Sequence, residues 1–147
     1  MKLVREFTID CIPPKTTSQQ KKVGSIGGRA RLYKGKKTRE TEAMLMDLLS
    51  VFATESPLEG PLHVIVDWMY PWRTSDRKRD KKRGFLWCIT RPDCSNVIKM
   101  FEDCMTRHGF WHDDSQVADL RVRKFYCDKP GIRVRIYELN EEEDDPR

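Results

Sequence analysis

The segment RPDCSNVIKMFEDCMTRHGFWHDDSQV, residues 91–117, gathers the side chains best suited to chemistry. Asp93 follows a proline, Lys99 and Asp103 lie in an amphipathic run, and Asp113 and Asp114 stand together after Gly109-Phe110-Trp111. Carboxylates drawn together repel unless a cation sits between them, and their hard oxygens suit Mg²⁺. With a lysine on the same face, the combination points to phosphodiester cleavage. A metal polarises the phosphate and activates water, while the lysine offsets charge developing in the transition state. The same residues have plainer uses: an Asp before a helix caps it, a Lys on a polar face is solvated, and Asp-Asp recurs in turns. His112 has the type of a general base beside Asp113, but its place in a turn makes it a solvent-exposed bystander.

The elements that must position these groups follow from periodicity. On a helical wheel, residues 95–108 put Val97, Ile98, Phe101, Cys104, Met105 and His108 on one side, with Asn96, Lys99, Asp103 and Arg107 opposite. Pro92 turns the chain, Asp93 is the expected cap and Gly109 the expected stop. Phe110 and Trp111 would anchor the following turn in the core. A strand before this helix, over 85–90, and another after it would bring Asp93 and Asp114 towards each other.

Elsewhere, FTIDCI (7–12) alternates as a strand ended by Pro13-Pro14, and LHVIVDWMY (62–70) is a strong strand pattern. Leu45, Leu48, Leu49 and Phe52 form one stripe of a helix over 38–54. VADLRVRKFY (117–126) and GIRVRIYEL (131–139) are expected to pair as a hairpin around Lys129-Pro130-Gly131. The expected class is α+β: one domain over 1–140, with a mixed, mostly antiparallel sheet of about four to five strands packed by two main helices. An acidic, disordered tail is expected over 141–147. His63 and His108 read as structural, and the four tryptophans as core, with Trp72 the one placed to stack on an exposed base.

Charge suggests the partner. The chain's net charge of +5 becomes +10 once the five acids Glu141 to Asp145 are set aside. Residues 15–37 form a basic loop or hairpin, with a short strand near Ala30 to Tyr33, carrying Lys15, Lys21, Lys22, Arg29 and Arg31 among others. Residues 73–83 form a second basic loop, without an apolar residue, carrying Arg73, Arg77, Lys78, Arg79, Lys81, Lys82 and Arg83. Both suit DNA backbone phosphates. Five cysteines without a C-x-x-C pair argue for reduced thiols and against a structural zinc. No apolar run reaches membrane-spanning length and the N-terminus lacks a signal-peptide pattern, so the expected location is cytoplasmic.

The gapless register Asp93-Cys94-Ser95-Asn96, Lys99, Gly109-Phe110-Trp111 and Asp113-Asp114-Ser115-Gln116-Val117 resembles the RusA family, phage-type Holliday junction endonucleases. FTIDCIPPK and PGIRVRI resemble the family's opening and closing strands more loosely. The resemblance implies a RusA-like fold and a homodimer that resolves four-way DNA junctions by paired nicks, using Mg²⁺ with Mn²⁺ as a substitute. It implies Asp93, Lys99 and Asp114 as catalytic residues, with Asp93 and Asp114 as metal ligands. One position departs from the pattern: Ser95 stands where the family has a second acid. Either Asp103 or Asp113 supplies the missing charge, or the chain binds junctions without cutting them.

Overall fold

A strand buried on both faces organises the molecule, over residues whose pattern already reads as a strand. In the computed structural model, which describes residues 1–16 and 21–147, β4 (Leu62–Pro71) is buried along nearly its whole length. It lies at the centre of a five-stranded sheet with β1 (Lys2–Ile9), β5 (Phe85–Trp87), β6 (Val117–Cys127) and β7 (Gly131–Glu138), in the order β1-β7-β4-β6-β5. Leu62, Val64, Val66, Trp68 and Tyr70 face the helices, each at most 2% exposed. Against that face pack α1 (Lys36–Ser50) and α3 (Cys94–Arg107). The stripe on α1 is Thr38, Thr41, Leu45 and Leu49. On α3 it is Val97, Ile98, Met100, Phe101, Cys104 and Met105, close to the face expected from the wheel. Phe52, just past α1, stacks on Phe7 of β1 with ring centroids 4.5 Å apart.

The sheet is mixed, with β4 and β6 parallel and its other pairs antiparallel. The expected hairpin of 117–126 with 131–139 does not form, because β4 lies between β6 and β7 and bonds to both. Residues 128–130 cross the end of β4, where Trp72 donates its indole N–H to Asp128 Oδ1 at 2.7 Å. A short link with Pro-Gly mimics a hairpin turn, but the most apolar strand takes the centre. Gly131 begins β7 in a place no side chain fits: a Cβ there would come within 2.7 Å of the Ile9 carbonyl oxygen.

Two further expectations change. Residues 73–83 are not a loop throughout, since α2 (Lys78–Arg83) forms within them. A buried Asp80 holds it, accepting from Arg83 at 2.8 Å and pairing with Arg77 at 3.4 Å. Gly84, at φ 98°, closes its end. Cations in the last turn favour its dipole. The expected strand over 85–90 ends at Trp87. The basic segment 15–37 contains the two-stranded hairpin of β2 (Lys21–Ile26) and β3 (Arg29–Lys34), apart from the main sheet, while 17–20 lie outside the described residues. At the C-terminus, Asp144 accepts from the Met1 ammonium at 2.7 Å and from the Asn140 amide at 2.8 Å, so the acidic segment turns back onto the start of β1.

All five cysteines are free thiols. Among the described residues no helix is long and apolar enough to cross a membrane.

Candidate active site

Asp93 holds the N-cap position of α3, with extended backbone, yet its carboxylate makes no capping hydrogen bond. It is exposed, so its oxygens are free for other work. What fixes it lies beneath. Lys124, on β6 beside Trp68, is nearly buried and donates to the carbonyls of Thr90 at 2.7 Å and Pro92 at 2.5 Å. Those carbonyls belong to the segment that ends at Asp93. The Cys88 amide, bonded to the Lys124 carbonyl at 3.1 Å, ties down the other end of the same segment. A buried ammonium bonded to carbonyls alone is costly to keep unless its charge is used.

Lys99 and Asp103 are exposed along the polar face of α3, as expected. Asp103 is engaged by Arg107 at 3.2 Å, and Arg107 also reaches Glu42 at 2.5 Å. Asp114 begins the short 3-10 helix Asp114–Gln116 at the far end of α3. Asp113 caps that helix, accepting from the Ser115 amide at 2.8 Å, which together with the Ser115 side chain draws its carboxyl below the usual range. Gln116 answers by accepting from the amides of His112 and Asp113. Phe110 and Trp111, each 1% exposed, anchor the turn in the core as expected. His112 pairs with Glu59 at 2.6 Å on the surface.

The sequence left one acid unnoticed. Glu102, half-buried on α3, has its carboxyl pushed up by burial and then by the charge of Asp114. The short helix that Asp114 begins packs against α3. Glu102 is nine residues beyond Asp93, a rise of about 13 Å along the helix, and the whole of α3 spans about 20 Å. Asp93 precedes α3 where Lys124, late in β6, reaches Pro92, whereas Asp114 follows α3 just before β6 begins at Val117; this course places the two towards opposite ends of α3, against the convergence expected from strand-helix-strand packing. The parallel course of β4 and β6 explains this: β6 starts at the end of the sheet opposite to the one it shares with Asp93. Among the described residues no group of three or more His, Cys, Asp or Glu is disposed to hold a metal ion. The donor chemistry still suits Mg²⁺, which is ordinarily held by one or two carboxylates together with substrate phosphates and water.

The two basic segments differ in what they leave free. In the second, Arg73 is paired with Asp76 at 2.8 Å, and Arg77 and Arg83 are paired with Asp80. Lys78, Arg79, Lys81 and Lys82 are exposed, with no ion pair among the described residues. In the first, Lys15 lies over the Tyr70 ring, 5.6 Å from its centroid, and Arg29 is exposed where β3 begins. The side chains of Lys21, Lys22 and Arg31, on the hairpin strands, lie outside the described residues.

Residues 12–137 match the family model described as Endodeoxyribonuclease RusA. A Lactococcus phage r1t protein named crossover junction endodeoxyribonuclease rusA is 31% identical over 95% of this chain and 100% of its own length. The Bacillus subtilis (strain 168) protein YqaN is 30% identical over 90% of this chain and 99% of its own. The crossover junction endodeoxyribonuclease RusA of Escherichia coli (strain K12) is 42% identical over a shorter stretch, 35% of this chain and 44% of its own.

Proposed function

Because the chain belongs to the RusA family of endodeoxyribonucleases, we propose that it is a crossover junction endodeoxyribonuclease that resolves four-way DNA junctions by paired nicks, as a homodimer using Mg²⁺. The observation that carries this reading is the match over 95% of the chain to a relative of that name. The free carboxylate of Asp93 at the head of α3 supports it.

The separation of Asp93 from Asp114 along α3 gives the homodimer a chemical purpose. A two-fold axis that runs two copies of α3 past each other in opposite directions brings one protomer's Asp93 to the partner's Asp114, twice over. Two equivalent sites then match the two strands of a junction that must be cut symmetrically. The paired carboxylates would hold the ion, which when bound polarises the phosphodiester and makes water acidic enough to attack. Mn²⁺ would substitute. Lys99, exposed one turn beyond Ser95, offsets charge gathering on the non-bridging phosphate oxygens. Lys124 holds the Thr90–Pro92 carbonyls and so keeps Asp93 aimed outward. Lys78, Arg79, Lys81 and Lys82 bind backbone phosphates and follow the shape of the branch more than its sequence.

Ser95 favours a second reading, in which the protein binds junctions and cuts them weakly or not at all. A hydroxyl brings no charge to a Mg²⁺ site. Cleavage of a synthetic four-way junction, titrated with Mg²⁺, separates the two. Metal-dependent symmetric nicks support the nuclease. Tight binding without products at any metal concentration supports the binder.

A further inference from the structure

The face of the sheet away from α1 and α3 has a chemistry that is not that of a merely wetted surface. Asp67, at the centre of β4, is 0% exposed although it points to that face. Three arginines cover it. Arg123 of β6 and Arg133 of β7 lie directly opposite it on either side, and Arg135 lies two pairs further along. Arg123 binds the carboxylate through Nε and Nη2 at 2.5 and 2.7 Å. Arg133 does the same at 2.9 and 2.6 Å, while Arg135 reaches it at 3.4 Å. Three guanidiniums on one carboxylate leave the cluster with a net charge of +2, and the shared anchor fixes the outer edges of the forks in place.

Beside the arginines stands a row of rings. Phe85, Trp87 and Phe125 meet edge to face, at centroid distances of 5.7 and 5.9 Å. Trp87 is 54% exposed and Phe85 38% exposed. With Arg123 and Arg133 these rings line one cleft of about 290 Å³. Exposed rings next to pre-oriented guanidiniums are what an unpaired nucleotide needs: a face to stack on and donors for its phosphate. A second copy of this chain is a poorer occupant, because a two-fold axis through this face would oppose two +2 clusters.

The cleft also lies close to the proposed chemistry. Trp87 is six residues before Asp93, so the two backbones are at most about 21 Å apart. The segment between them is tied to Lys124 at both ends. A strand passing over the β5 edge of the sheet would meet Trp87 on one face and Asp93 on the other.

We propose that this cleft is a nucleotide subsite, in which a base left unpaired at a branch point stacks on Trp87 while Arg123 and Arg133 hold its phosphate. The proposal rests on the reading of branched DNA as substrate and adds how a branch is told from plain duplex.

The test is binding in the absence of metal, so that it stands apart from cleavage. Two probes are used: a junction carrying 2-aminopurine at its crossover, and a duplex carrying the same base paired. Trp87→Ala should weaken junction binding roughly tenfold, the scale of one lost base–aromatic stack. It should leave duplex binding unchanged and remove the change in 2-aminopurine emission. Trp87→Phe should restore most of the affinity. Equal loss on both probes, or no loss on the junction, overturns the subsite. A shift of Trp87→Ala from dimer to monomer in light scattering overturns it in favour of self-association. Absent cleavage by a protein that still shows the Trp87-dependent junction preference would sink the nuclease reading and leave the subsite standing.

Discussion

Lys124 and Ser95 bear on the head of α3 from opposite sides. Lys124 supplies a buried charge that fixes the carbonyls before Asp93, whereas Ser95 brings a hydroxyl and no charge to the same helix end. Lys124→Met keeps the stem and removes the ammonium. Its cleavage rate should fall roughly 10- to 100-fold, the usual cost of losing a residue that orients a ligand. The Mg²⁺ concentration for half-maximal cleavage should rise, while metal-free junction binding stays the same. An unchanged metal requirement would reduce Lys124 to a packing residue. Ser95→Asp should raise cleavage by roughly tenfold or more, since it restores an anionic oxygen donor. No gain in a single-turnover assay would show that the hydroxyl is not the defect. Of these residues, Asp93, Ser95, Lys99 and Asp114 come into view through the motif's resemblance to the RusA family. Lys124 and Glu102 do not, because each gains its meaning from a neighbour distant in the chain or across a turn: Pro92 for the first, Asp114 for the second.

At the scale of elements, the central row Arg123–Asp67–Arg133 ties β4 to both of its neighbours. Burial alone would push the Asp67 carboxyl up. The hydrogen bonds and charges of Arg123 and Arg133 more than offset this and leave it below its ordinary 3.8. A carboxyl lowered on folding stabilises the fold fully above its unfolded value, and that contribution is lost as pH falls through the folded one. Acid denaturation followed by circular dichroism should therefore steepen below about pH 4. Asp67→Asn should remove that dependence and cost about 3 kcal/mol or more at neutral pH, because three arginines lose their anion. An acid limb identical in the two proteins would contradict the role of the row. The row has no signature in the sequence, where Asp67 is a lone acid in a mostly apolar run. The run itself is legible as a strand from its apolar pattern, with Leu62, Val64, Val66, Trp68 and Tyr70 on one face. The partner of each strand is not. β6 and β7 are neighbours in the chain with a turn-like link, yet β4 separates them. Likewise α2 lacks an apolar stripe, and only the buried Asp80 shows why it is helical.

For the whole molecule, the decisive fact is that α3 keeps Asp93 and Asp114 at its opposite ends. In the homodimer proposed above, a complete site takes one residue from each chain, and symmetry supplies two such sites for two scissile strands. Asp93→Asn and Asp114→Asn should each abolish cleavage as homodimers while leaving junction binding in place. Combining them as a heterodimer, purified through two different tags, is the most direct measurement. If each site joins Asp93 of one protomer to the partner's Asp114, one of the two sites in the mixed dimer is intact, and the preparation should nick one strand per junction. A mixed dimer as inactive as both parents would mean that no site spans the two chains, and the account built on α3 would be wrong.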